Sequence, residues 1–119
     1  MLVQQLPAIH QTLKFRLAQR RCVVHAVLDH AGIRLAQEVS CAPEGAMLAF
    51  IKAKYAEQRS TKIMLELARA LEVSPFEVAA ALRVDLPDSH RRLLGIQVHA
   101  LDALCKALSR VEARIAHRI

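Results

Sequence analysis

Apolar residues return every three or four positions along most of this chain, and the breaks between runs fall on residues that favour turns. After Pro7, which suits a first helical position, Ile9, Leu13, Leu17, Val24 and Leu28 share one helical face up to Gly32, a natural helix stop. One long helix, or two, is expected there. A competing pattern overlaps it: Cys22 to Leu28 is rich in valine, Asp29 to Gly32 can turn, and Ile33, Leu35, Gln37 and Val39 alternate with Arg34, Ala36, Glu38 and Ser40. That pattern reads as a β-hairpin over 22–40.

Past a break at Ser40 to Pro43, Met47, Leu48, Ile51 and Tyr55 mark one face of a further helix, with Lys52, Lys54 and Glu57 on the other side. It is expected to end near Gln58 to Ser60. Thr61 can cap the next helix, which turns Ile63, Met64, Leu67, Ala70 and Leu71 inward. That pattern stops after Leu71, and a strong helix start follows at once. Ser74 can accept backbone N–H bonds from a new first turn, Pro75 fits the first helical position, and Glu77 completes a capping box. The second helix runs from Pro75 to about Val84, so two short helices meet at a sharp corner.

Asp85 to Asp88, with Pro87 among them, separates this corner from a last helix capped by Asp88 or Ser89. In it Leu94, Leu101, Leu104, Leu108, Val111 and Ile115 fall on a and d positions of a heptad, with Gln97 as the polar exception. Such a seam serves either the core of one chain or the pairing of two copies. The expected architecture is an all-α bundle of about five helices in a single domain over 1–119, ending in a long amphipathic helix.

Composition agrees with helices packed through small side chains. The 119 residues include 20 alanines but only three glycines, four prolines and four aromatics, and 54% of the chain is hydrophobic, which excludes disorder. No apolar run approaches the roughly 18 to 20 residues that span a bilayer, and the N-terminus lacks the apolar core and cleavage site of a secretory signal. A cytoplasmic protein with no membrane partner is expected. Cys22, Cys41 and Cys105 are odd in number and far apart, the pattern of reduced thiols.

Charge changes the picture more. The net charge of +6 and a pI near 9.8 point to a polyanionic partner, yet the surplus is uneven. Lys14, Arg16, Arg20 and Arg21 stand in a first stretch without acids, and the chain after His90 carries Arg91, Arg92, Lys106, Arg110, Arg114 and Arg118 against Asp102 and Glu112. Around the corner, Arg69 and Arg83 face Glu66, Glu72, Glu77, Asp85 and Asp88. The corner itself is acidic.

At Leu67 to Arg83 the chain resembles the helix-turn-helix of repressor-type DNA-binding proteins: Leu67, Ala68, Leu71, Val73, Val78 and Ala81 occupy the apolar places of that pattern. The resemblance implies double-stranded DNA as partner, with Ser74, Phe76, Ala79, Ala80 and Arg83 toward the groove and Lys62, Arg69, Arg91 and Arg92 on phosphates. It also implies a dimer, with Leu94, Leu101, Leu104, Leu108, Val111 and Ile115 as its seam. This sequence departs from the pattern twice. Glu72 holds the turn position usually given to glycine, and the outward places offer few of the Arg, Lys, Asn and Gln side chains that read base edges. The alternative is a non-catalytic helical module, an adaptor or secretion chaperone, whose alanine-rich and methionine-containing faces bind another protein.

Enzyme chemistry finds little support. None of the six histidines forms an H-E-x-x-H pair, and the chain has neither a glycine-rich phosphate loop nor a nucleophile elbow. Cys22 and His25, with His30 and Cys41 nearby, lack the spacing of a structural zinc site, so no metal or cofactor is expected.

Overall fold

The computed structural model describes residues 5–117. These form six helices in chain order: α1 (Leu6–His30), α2 (Ala36–Ser40), α3 (Glu44–Tyr55), α4 (Thr61–Leu71), α5 (Pro75–Arg83) and α6 (Asp88–Ala116). The sixth, beyond the five expected, is the one-turn α2. No strand occurs among the described residues, so the hairpin pattern over 22–40 is not used. Its apolar residues are buried by another route. Val24, Val27 and Leu28 continue the inner face of α1, Gly32 turns the chain at φ 80°, and Ile33, Leu35 and Val39 drop inward from the turn and α2. The positive φ is a conformation that glycine adopts without strain. A lone two-stranded hairpin would have had no third strand to complete its sheet.

The two long helices make the frame. α1 and α6 run antiparallel, as the contacts of His10 with Glu112 and of Arg20 with Gln97 show. α3 also runs antiparallel to α6, with Lys52 paired to Asp102 at 3.3 Å and Tyr55 against Gly95. The core between them is filled by Val24, Leu28, Met47, Phe50, Ile51, Leu94 and Leu101, each fully enclosed. Near the end of α3, Gly95 lets the Tyr55 ring press against the α6 backbone, because a Cβ there would stand 2.7 Å from the ring.

Several local expectations change. Ser60, not Thr61, caps α4: its backbone is extended and its side chain accepts from the Ile63 N–H at 3.3 Å. α6 starts after Pro87 with no side-chain cap, and Asp88 and Ser89 lie within its first turn. Ala70 is exposed, not inward. Lys54 is the largest reversal, since it lies on the buried side of α3 at 5% exposure. Its charge suggests an outward place, but its spacing from Met47, Phe50 and Ile51 puts it on the inner face, where the end of α5 supplies carbonyl oxygens for the ammonium.

Candidate nucleic-acid interface

The corner forms as the local chemistry dictates. α4 ends at Leu71, and Glu72 takes the left-handed conformation at φ 57°. This is where a glycine would relieve strain, and a side chain there costs on the order of 1 kcal/mol. The burial of Leu67, Ala68 and Leu71 on one arm and of Val78, Ala81 and Leu82 on the other offsets that cost. Ser74 then starts α5 with a full capping box: its hydroxyl accepts from the Glu77 N–H at 3.2 Å, while the Glu77 carboxylate accepts from the Ser74 N–H at 3.3 Å.

The apolar places of the motif therefore point inward, and the outward row of α5 is open. Phe76 is 88% exposed, Ser74, Ala80 and Arg83 are exposed, and Ala79 is half-buried. Beside this row lies an apolar cleft of about 390 Å³, walled on one side by Phe76, Ala80, Ala81 and Val84 and on the other by Leu35 and the turn around Gly32 and Arg34.

The basic residues divide into two groups. Lys62, Arg69, Arg83 and Arg92 are exposed and form no ion pair among the described residues. Arg91 is committed: it pairs with Glu57 at 3.4 Å, donates to the Tyr55 carbonyl at 3.3 Å and lies over the Tyr55 ring. Arg59 meets Asp85 at 3.6 Å. Of the N-terminal cluster, Arg16 is exposed, but Arg20 donates to the buried Gln97 and Arg21 donates to the Ser40 and Ala42 carbonyls at the end of α2. Arg118 lies outside the described residues. Much of the positive surplus thus ties helices together.

Half of the α6 seam is buried within one chain. Leu94, Leu101 and Leu108 are buried in the core shared with α1 and α3, whereas Leu104, Val111 and Ile115 are only half-buried. What α6 leaves open is an adjacent stripe with Leu93 and Ile96 at 45% and 56% exposure.

Lys54 was missed as part of this region. Its ammonium donates to the Ala81 and Leu82 carbonyls at 2.9 and 3.2 Å and also to the Val84 carbonyl. Burial, helped by the charge of Arg59, lowers its pKa to about 8. Asp102, accepting from Lys106 and Lys52, is held below the usual carboxylate range, and burial pushes the Cys105 thiol up, away from reactivity. Cys22, His25 and Cys41 line one shallow depression, but no three His, Cys, Asp or Glu side chains among the described residues stand together in a way that could hold a metal. No helix among the described residues is long and apolar enough to cross a membrane. No family model matches the chain, and neither does a curated protein or a solved structure.

Proposed function

We propose that this chain is a small, non-catalytic regulator of the cytoplasm that binds double-stranded DNA through the α4–α5 corner. The observation that carries the reading is the elbow: a left-handed Glu72 between two short helices whose apolar places are buried and whose outward row stays bare. In this reading Ser74, Phe76, Ala79 and Ala80 enter the major groove, where Phe76 and the alanines offer apolar contact to thymine methyl groups. Arg83, Lys62, Arg69 and Arg92 meet phosphates and supply most of the affinity. Arg91 contributes less, because Glu57 and Tyr55 already engage it. Two corners related by a two-fold axis would read a palindromic site, and Leu93 and Ile96 are the α6 residues most open to such pairing.

The exposed Phe76 beside the apolar cleft favours a second reading, a helical module that seats an apolar side chain of a protein partner there. A duplex titration across a salt series separates the two. The DNA reading expects micromolar or tighter binding at low salt, and four phosphates neutralised would cost about a hundredfold in affinity between 50 and 200 mM salt. No binding at the lowest salt removes it.

A further inference from the structure

α5 ends without the glycine that commonly closes a helix. Its capping residue, Val84, is extended, and among the described residues no backbone N–H from beyond the helix returns to the Ala81, Leu82 or Val84 carbonyls. Four carbonyls at any helix end need partners from outside the helix, and they carry the negative end of the helix dipole. Here the partner comes from α3, in the form of the buried ammonium of Lys54. An ammonium has three N–H donors, and these three carbonyls match them in number. The backbone of α5 runs close to α4, its Val78, Ala81 and Leu82 join the shared core, and the Lys54 side chain is the polar tie from α3 to its last turn.

The neighbouring charges do not substitute for it. Glu57 and Arg59 after α3, Asp85 after α5, and Asp88 and Arg91 on α6 line the same small cavity of about 100 Å³. Arg59 is paired with Asp85 and Arg91 with Glu57, which leaves Lys54 as the cation on the α5 carbonyls.

We propose that Lys54 is a positioning residue for the corner: by holding the last turn of α5 to α3, it fixes the direction in which Phe76, Ala80 and Arg83 face a duplex. The part of this that concerns DNA rests on the function proposed above; the part that concerns α5 stands without it. Lys54→Met keeps the apolar stem and removes the donors, while Lys54→Arg keeps a charged donor. Amide hydrogen exchange followed by NMR reads the effect site by site. In Lys54→Met the Leu82 and Arg83 amides are expected to exchange roughly tenfold faster or more, with the amides of α1 and the middle of α6 unchanged and with partial recovery in Lys54→Arg. Uniformly faster exchange throughout, or no change at α5, overturns the proposal. Where Lys54→Met does not fold, the wild-type chain answers: the Lys54 Nζ–H signal is expected to be protected from solvent exchange, and fast exchange there overturns it.

DNA binding supplies the remaining arm. With a duplex that the wild-type chain binds, Lys54→Met is expected to lose roughly tenfold in affinity while keeping the wild-type salt slope, since no phosphate contact is removed. A slope shallower by about one makes Lys54 itself a phosphate ligand and contradicts the positioning role. If the wild-type chain binds no duplex while the exchange results hold, the DNA reading fails and the tie on α5 stands.

Discussion

α5 and α6 differ in what they give to the protein and what they leave to solvent. The 29-residue α6 packs along both α1 and α3 and buries Leu94, Gly95, Gln97, Leu101 and Leu108. The nine-residue α5 buries only Val78, Ala81 and Leu82, and its far side presents Phe76, the most exposed large apolar side chain among the described residues. A helix of nine residues is too short to persist by propensity in water. It is kept by the burial of Val78, Ala81 and Leu82, by a capping box at one end and by a borrowed lysine at the other. The difference separates a frame from a presented element. Changes in α6 should act on the whole fold, and changes on the bare side of α5 should act on binding alone.

The largest effect is expected from the frame. Leu101→Ala removes a fully buried side chain from the α1, α3 and α6 core and should destabilise the chain by about 2–5 kcal/mol in urea unfolding. A loss below about 1 kcal/mol would mean that this core is loosely packed.

Lys54→Met comes next, leaving buried carbonyls without their donors at a cost of about 1–3 kcal/mol. Its pH dependence gives a sharper test. The folded chain releases the Lys54 proton near pH 8, whereas the unfolded chain keeps it to about 10.5, so between these values the unfolded state binds more protons. Wild-type stability attributable to Lys54 therefore rises with pH across that window, as the cost of burying the charge is relieved. Lys54→Met should lack this rise, and identical slopes for the two chains would place the lysine outside the interior.

Ser74→Ala, which breaks the capping box, should cost about 1 kcal/mol. Glu72→Gly should do the opposite and stabilise by up to about 1 kcal/mol, because the left-handed backbone is already in place. Destabilisation by Glu72→Gly would show that the carboxylate makes a contact worth more than the strain.

Phe76→Ser is expected to have the smallest effect on stability, within about 0.5 kcal/mol, while weakening binding to whichever partner uses this face. Stability lost in step with binding would erase the distinction between α5 and α6.

How much of this could be read from the sequence follows the same division. The corner was legible because its signals are local: Ser74, Pro75 and Glu77 lie within four residues, and the burial of Leu67, Leu71, Val78 and Ala81 follows helical phase. The heptad of α6 was legible as a pattern, but periodicity does not say whether a seam faces its own chain or another, and here the core encloses Leu94, Leu101 and Leu108 while Leu104, Val111 and Ile115 are half-buried. Lys54 was illegible for the opposite reason. Its phase matches the buried Met47, Phe50 and Ile51 but its charge argues for solvent, and only the long-range placement of α5 brings carbonyls to it across 27 to 30 residues. The roles of Arg20 and Arg21 are likewise long-range, since Gln97 and the end of α2 reach them only in the folded chain. Ser74, Phe76, Ala80 and Arg83 of the α5 row are exposed and Ala79 is half-buried, and the row itself does not carry the chemistry that names a partner.

In the proposed reading the bare side of α5 meets a DNA duplex. Titrating a short duplex into isotope-labelled protein at low salt and following each backbone amide tests it most directly. The account predicts that the largest shifts fall on Ser74, Phe76, Ala79, Ala80 and Arg83, with smaller ones at Lys62, Arg69 and Arg92, and that they collapse as salt is raised. Shifts confined to the exposed stripe of α6 around Leu93 and Ile96, or no shifts at any position, would contradict it.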